Sequence, residues 1–121
     1  MVLAVAITAF AGAVSRYLVD LAVQHRTESV FPLGTLVVNV TGSLGLGFIV
    51  GLGLYHGLPA TPRTLIGTGF LGAYTTFSTF SYETVRLLED GVYRDALLNT
   101  ATSLALGLAG AAAGIAIANA L

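Results

Sequence analysis

The residues with the clearest chemistry lie at positions 72–81, where hydroxyl side chains alternate with two phenylalanines. The string reads Gly-Ala-Tyr-Thr-Thr-Phe-Ser-Thr-Phe-Ser and interrupts a stretch otherwise apolar enough to cross a bilayer. Irregular or polar backbone at membrane depth must face protein or a water-filled path. A helix that faces only lipid gains nothing from so many hydroxyls. The string therefore predicts a functional site in a membrane protein.

Phe77 and Phe80 are three residues apart, so they share one face of a helix. Such rings usually pack against lipid or core, but here they stand among Ser78, Thr79 and Ser81, which favours contact with a polar path. Because an aromatic ring has a positive edge, two edges can hold a small anion without a formal charge. A lysine or arginine would hold the ion too long for conduction.

Gly67, Gly69 and Gly72 precede the hydroxyl run and indicate a helix that is broken near its middle. A break exposes carbonyl groups at the end of the first half and N–H groups at the start of the second. Free carbonyls can coordinate a cation such as Na⁺. The alternative is an unbroken helix with small residues at a contact.

Polar stripes occur in two other apolar segments. Thr35, Asn39 and Ser43 recur at every fourth residue, so they lie on one face of a helix. A buried asparagine in lipid must find a partner or water, so this face forms contacts between helices or lines a wet path. Asn99 and Ser103 form a similar pair, although serine can also bond to its own backbone.

The elements that position these groups follow from composition. Of the 121 residues 55% are hydrophobic and 9% are charged, against about 25% charged in soluble domains. Charged residues and turn formers leave apolar runs at residues 2–23, 31–55, 64–88 and 96–121. Each run is near or above the ~20 residues that cross a bilayer as a helix. We expect an all-α membrane protein, one domain over residues 1–121, with four transmembrane helices and both termini on one side.

Composition also argues against several classes of function. The chain has no cysteine, hence no disulfide and no thiolate metal site. Its net charge of −1 gives no basic field for nucleic acid. No nucleophile–base pair, metal-ligand cluster or phosphate loop is present, so we do not expect an enzyme. No charged region followed by a cleavage site begins the chain, and we expect no removable signal peptide.

Four short helices have little room to enclose a pore, so we expect a homo-oligomer. The spacing of Gly47 with Gly51, and of Gly110 with Gly114, suits close helix packing. The loops after the first and third spans, and their surroundings, hold Arg16, Arg26, Arg86 and Arg94, and the opposite side holds Arg63. This small difference favours termini outside, and such weak bias also suits insertion in both orientations.

The chain resembles the Fluc (CrcB) family of fluoride channels over nearly its whole length. The resemblance includes residues 12–17, Gly-Ala-Val-Ser-Arg-Tyr, and residues 34–43, which contain Asn39 and Ser43. The most specific match is Gly72 followed by residues 75–81, Thr-Thr-Phe-Ser-Thr-Phe-Ser. The fourth span has no equally specific motif.

The resemblance implies an antiparallel, dual-topology dimer with two fluoride pores along the subunit interface. By this resemblance, Phe77 and Phe80 of this chain would supply ring edges to the ion, and Asn39 would hydrogen-bond the ion or orient a ring. Ser103 and Thr79 would line the same pore.

The resemblance also implies two sites beside the pore. Arg16 would lie in a vestibule and attract anions. Gly72 and Thr75 would give backbone carbonyls to a central, structural Na⁺. Two carbonyls per chain make a poor shell, but a two-fold axis supplies four.

We therefore predict a fluoride-selective channel in the inner membrane of a prokaryote, through which fluoride leaves the cytoplasm passively. A proton-coupled transporter usually needs a titratable group near the bilayer middle. Here Asp20 lies near a span end, spaced to pair with Arg16, and Glu83 lies near another.

Two alternatives belong to other classes. A small dimeric multidrug exporter has a similar size but uses a glutamate in its first span, where this chain has none. A structural subunit of a larger membrane complex would conduct nothing when purified alone. The channel's partner is either an identical chain or a paralogue.

Overall fold

The computed structural model describes all 121 residues, and every regular element in it is helical. The elements in chain order are α1 (Val2–His25), α2 (Leu33–Tyr55), α3 (Ala60–Arg63), a π-helical stretch (Thr64–Leu71), α4 (Gly72–Tyr74), α5 (Phe77–Glu89) and α6 (Tyr93–Ala120). They make four helical regions: α1, α2, residues 60–89 and α6. In the third region, α3, the π-helical stretch and α4 are continuous, and α5 follows after two residues. The prediction of an all-helical chain with four such regions is confirmed.

Three of the helices are long and apolar enough to cross a membrane. They are α1, α2 and α6, with 24, 23 and 28 residues. The remaining region, residues 60–89, consists of shorter elements, none of which reaches that length alone.

Two predicted boundaries were wrong. Arg94 and Asp95, predicted as loop, lie in the first turn of α6, where an acidic residue is favourable near the positive end of the helix dipole. Pro62, predicted in a turn at 56–63, lies inside the short α3, because proline is tolerated in a first helical turn. Within the two predicted turns, the chain turns at Gly57 and Gly91, whose φ angles of 63° and 76° favour glycine.

α2 and α6 pack closely through small residues. A Cβ atom added to Gly47 would collide with the backbone of Ala111, and one added to Gly114 would collide with the backbone of α2. Gly51 and Gly110 lie in the same contact. The close packing predicted for these glycines is therefore present between two helices of one chain.

α1 packs against the π-helical stretch in the same way. A Cβ atom on Gly12 would collide with the carbonyl of Phe70, and one on Gly69 would collide with α1. Gly67, Gly69 and Gly72, from which a break was predicted, all remain helical. Here glycine allows close approach of a neighbouring helix and does not end its own. π-helical hydrogen bonding is rare and is frequently found beside functional sites.

Candidate functional site

The regular helix stops at Tyr74 and resumes at Phe77, and the two residues between them are extended. Thr75 has φ −78° and ψ 154°, and Thr76 has φ −145° and ψ 119°. We call these two residues the gap. Because the chain leaves the helix here, the preceding carbonyls lose the N–H groups that would otherwise bond to them.

These carbonyls fall into two groups. The carbonyl of Ala73 accepts a hydrogen bond from Nε of Arg16 at 3.2 Å. The carbonyl of Thr75 accepts none from the protein, and the N–H of Thr76, which would be the α-helical partner of the Gly72 carbonyl, donates to Asn39 instead. Unpaired backbone carbonyls away from water are costly, so they are candidates for a ligand.

Asn39 of α2 binds both backbone groups of Thr76. Its Nδ2 donates to the Thr76 carbonyl at 2.9 Å, and its Oδ1 accepts from the Thr76 N–H at 2.8 Å. One carboxamide therefore replaces the bonds that a continuous helix would give this residue. Because a trans peptide holds its C=O and N–H on opposite sides, the bond to Thr76 N–H turns the Thr75 carbonyl away from Asn39.

α5 starts at the gap with a side-chain cap. Oγ1 of Thr76 accepts from the N–H of Thr79 at 3.2 Å and lies 3.1 Å from its hydroxyl. This N-cap bond satisfies a donor of the first turn. The turn that carries Phe77 and Phe80 is thus held by Thr76, which Asn39 holds in turn.

A cavity of about 300 Å³ lies between α2, α5 and α6, and we call it the phenylalanine cavity. It is lined by Asn39, Ser43, Phe77, Phe80, Thr100, Ser103, Leu104 and Gly107. The two ring centroids are 5.8 Å apart with planes inclined by 46°, and Phe77 is 79% exposed. Apolar walls with a few hydroxyl and amide groups and two phenylalanine rings suit a small anion that needs hydrogen bonds.

The hydroxyls on this cavity differ in how strongly they are engaged. Ser43 forms no hydrogen bond with protein, so its proton is free for a ligand. Ser103 donates to Asn99 over a long 3.5 Å, and Asn99, only 1% exposed, donates to Thr84 at 2.9 Å. Asn99 is therefore a buried residue that links α6 to α5, and Ser103, one turn further along α6, lines the cavity.

A second cavity, of about 210 Å³, contains Arg16, and we call it the arginine cavity. Its lining residues are Ala13, Arg16, Tyr17, Asp20, Thr35, Val38, Thr76 and Thr79. The ion pair expected between Arg16 and Asp20 is absent, since the guanidinium bonds to the open carbonyl of Ala73 instead. Thr35 donates to Glu83 at 2.7 Å, which adds a second carboxylate beside this cavity.

A third cavity, of about 240 Å³, shares lining residues with each of the first two. It shares Thr76 with the arginine cavity, and it shares Asn39, Ser43 and Phe77 with the phenylalanine cavity. We call it the middle cavity. The bonded pair of Asn39 and Thr76 thus stands where the three spaces approach one another.

The predicted site residues take these places. The phenylalanine cavity brings together four of the five predicted pore residues, namely Asn39, Phe77, Phe80 and Ser103. Thr79 lies in the arginine cavity with Arg16, and Gly72 and Thr75 lie at or beside the gap. Their contacts with ions stay predictions. Thr100 lines the cavity but was not predicted as a site residue. Ser43 also lines it and was predicted on the same polar face as Asn39, but it was not named as a pore residue.

Apolar helices of membrane-spanning length, together with a gap beside a polar and aromatic cavity, define a multi-pass membrane protein with an internal polar site. Residues 3–115 match the family model described as CrcB-like protein, Camphor Resistance (CrcB).

Three relatives can be aligned with this chain over most of their own length. Fluoride-specific ion channel FluC 1 of Leifsonia xyli subsp. xyli is 50% identical over 115 residues, which cover 95% of this chain and 84% of the relative. FluC 2 of Mycobacterium tuberculosis (strain H37Rv), also called a fluoride-specific ion channel, is 52% identical over 103 residues, with 85% and 79% covered. FluC of Shewanella sp., of the same description, is 48% identical over 107 residues, with 88% and 86% covered. The chain belongs to the CrcB family, as predicted.

Proposed function

We propose that the chain is a fluoride-selective channel that lets fluoride leave the cytoplasm down its electrochemical gradient. The observation that carries this proposal is the phenylalanine cavity, where two phenylalanine rings and several hydrogen-bond donors line one small space. The relatives named above are all called fluoride-specific ion channels, and their names point to the same ion.

Fluoride is small and tightly hydrated, so a selective path must replace its water with other donors. Ser43 and Ser103 offer hydroxyls, and Asn39 offers its second N–H, because Thr76 uses only one of the two. The edges of Phe77 and Phe80 add positive potential without a formal charge. No group on this wall holds the ion as tightly as a lysine or arginine would, which favours rapid passage.

The sequence of cavities supports a path that begins near Arg16. The guanidinium supplies positive charge in the arginine cavity, and Asp20 on the same wall limits how strongly anions are held there. The arginine cavity and the middle cavity share Thr76 as a lining residue. The middle cavity and the phenylalanine cavity share Asn39 and Phe77, so the path continues to the two rings.

A structural Na⁺ is the cofactor that we propose for the gap. The carbonyl of Thr75 accepts no hydrogen bond, and that of Gly72 lacks its α-helical partner, because the N–H of Thr76 donates to Asn39. Neutral carbonyl oxygens are suitable ligands for this ion. A Cβ added to Gly72 would make only an ordinary van der Waals contact, 3.7 Å from the carbonyl oxygen of Gly67. Bound there, Na⁺ would compensate the partial negative charge of the carbonyls. Asn39 keeps the Thr75 carbonyl turned outward.

We further propose an antiparallel dimer in which residues 60–89 form the third span, broken at the gap. Two carbonyls per chain are too few for Na⁺, and a second chain related by a two-fold axis supplies two more. Phe77 is mostly exposed, so a partner chain can complete the wall beside it. Because the ion leaves the cytoplasm, we place the protein in the inner membrane of a prokaryote.

Flux from liposomes that contain only this protein tests the channel. Fluoride should leave as soon as an ionophore allows counter-ion movement, and chloride flux should stay at the level of protein-free liposomes. Chloride permeation comparable to fluoride would overturn the assignment. Absence of flux for either ion would favour a structural subunit.

The orientation has its own test. A single cysteine introduced at Thr27, in the loop after α1, should react with an impermeant reagent from both sides of the membrane. Reaction from one side only would contradict dual topology for identical chains and would leave pairing with a paralogue.

A further inference from the structure

Tyr74, the last helical residue before the gap, is held on three sides. It is only 8% exposed, and its ring stacks on Phe70 with centroids 6.0 Å apart and planes inclined by 10°. The ring also lies against α2 at Gly42, where an added Cβ would be 3.1 Å from it. Its hydroxyl lies 2.9 Å from Oγ1 of Thr41.

The neighbouring bonds give the hydrogen bond between Tyr74 and Thr41 a direction. The Thr41 hydroxyl has one proton, which it donates to the carbonyl of Val37 at 2.7 Å. Its lone pairs remain available, so Tyr74 is the donor and Thr41 the acceptor.

This direction makes the two hydroxyls unequal. Removal of the Tyr74 hydroxyl leaves Thr41 bonded to its own helix. Removal of the Thr41 hydroxyl leaves a buried donor on Tyr74 without an acceptor, and an unsatisfied buried donor costs more than a lost hydrogen bond. The effects of removing the two hydroxyls should therefore differ in size, and the effect of removing both should not be the sum of the two.

We propose that Tyr74 is a positioning residue for the carbonyls of Gly72 and Thr75, and that it acts through its hydrogen bond to Thr41. Asn39 holds the residue after Thr75, and Tyr74 is the residue before it. Both anchors come from α2, so Thr75 is fixed from both sides against one helix. The inference rests on the proposed Na⁺ site.

The anchoring residues lie close together on α2. Asn39, Thr41 and Gly42 span about one helical turn. Gly42 takes part by having no side chain, because an added Cβ would collide with the methyl group of Thr75. A tilt of Tyr74 away from Thr41 would therefore move Thr75 and both carbonyls together.

Na⁺-dependent thermal unfolding of the purified protein tests the proposal without relying on fluoride flux. Choline replaces Na⁺, and the measured quantity is the Na⁺ concentration that gives half of the full stabilisation. We expect it to rise about threefold in Tyr74→Phe and about tenfold in Thr41→Val. The double variant should return to about threefold, because it strands no donor.

Two controls match these variants. Thr102→Val removes a hydroxyl that bonds to its own helix at Leu98 over 2.6 Å, as Thr41 bonds to Val37, but that contacts no tyrosine. Tyr82→Phe removes the hydroxyl of a tyrosine that is 66% exposed. Both should keep the wild-type Na⁺ dependence. If Thr41→Val does not fold, the Na⁺ dependence of Tyr74→Phe and of the double variant, both expected to rise about threefold, carries the test.

The outcomes separate this inference from the function beneath it. If the wild type needs Na⁺ and conducts fluoride but the variants keep its Na⁺ dependence and lose only baseline stability, Tyr74 is mere packing and the inference is overturned. A wild type that is insensitive to Na⁺ overturns the Na⁺ site and this inference together. Fluoride flux then decides separately whether the channel assignment stands.

Discussion

The two halves of α2 contact their neighbours by opposite means. Over residues 44–51, glycines let α2 approach α6 so closely that an added Cβ does not fit. Over residues 35–43, the same helix meets region 60–89 through polar side chains, with Asn39 and Thr41 bonded to residues around the gap. The glycine half has no polar groups to arrange and forms a stiff base. The polar half can then hold an irregular backbone whose carbonyls stay open.

Gly114→Ala attacks the glycine half and should have the largest effect. Its Cβ would overlap the backbone of α2, and the overpacking cost of about 3 kcal/mol exceeds the roughly 1 kcal/mol that alanine gains over glycine in a helix. Gly107→Ala, in the same helix, is the control, since its Cβ would lie 3.8 Å from Ser43. Thermal unfolding in detergent should show a strong loss for Gly114→Ala alone. Equal stability of the two variants would contradict the packing argument.

Asn39→Asp attacks the polar half and should abolish most of the flux while the fold survives. It keeps the size of the side chain but removes the donor to the Thr76 carbonyl and puts a carboxylate on the proposed anion path. Repulsion between two unit charges about 5 Å apart in a partly buried site amounts to a few kcal/mol, so fluoride flux should fall about a hundredfold. Asn119→Asp, on the exposed end of α6, adds the same charge elsewhere and should conduct normally.

The result for Asn39→Asp also separates two roles of the side chain. Unchanged flux would assign Asn39 to packing only. Lost flux together with lost Na⁺ dependence would indicate that the gap itself had collapsed. Lost flux with Na⁺ dependence retained would indicate that the charge blocks the ion path.

The fold could be predicted because long apolar runs leave few choices in a membrane. The position of the gap could not, because glycine has two uses that composition does not separate. Gly69 allows α1 to approach, and it does not end the helix. What holds the chain in its extended form at Thr76 is the carboxamide of Asn39, which lies 37 residues away in sequence. No local pattern reveals such a contact.

The site was predictable where periodicity applies. Phe77 and Phe80 are three residues apart and share a cavity, and Asn39 and Ser43 are four apart and share it too. Thr79 was grouped with the rings, yet the same spacing pairs it with Thr76 on a neighbouring face, in the arginine cavity. The ring pair and the threonine pair are offset by one residue, about 100° around the helix.

Replacement of either ring tests the electrostatic part of the polar half. Phe77→Ile and Phe80→Ile keep most of the bulk but remove the quadrupole, so fluoride flux should fall about tenfold without loss of the fold. Phe10→Ile on α1, where the ring is 72% exposed and far in sequence from the gap, should leave flux unchanged. Full flux in both pore variants would overturn the role of the rings and leave the channel assignment intact.

Ser43→Ala should have the smallest effect. Ser43 is the last polar residue of its stripe, directly before the glycine half, and its hydroxyl has no protein partner. Its removal strands no buried group, so only one hydrogen bond to the ion is lost and flux should fall about threefold with unchanged stability. Ser15→Ala on α1, outside the three cavities, is the matched control and should conduct like the wild type. Wild-type flux in Ser43→Ala would mean that Asn39, Ser103 and the rings replace the ion's water without help from Ser43. The ion path would then end one helical turn before the glycine contact.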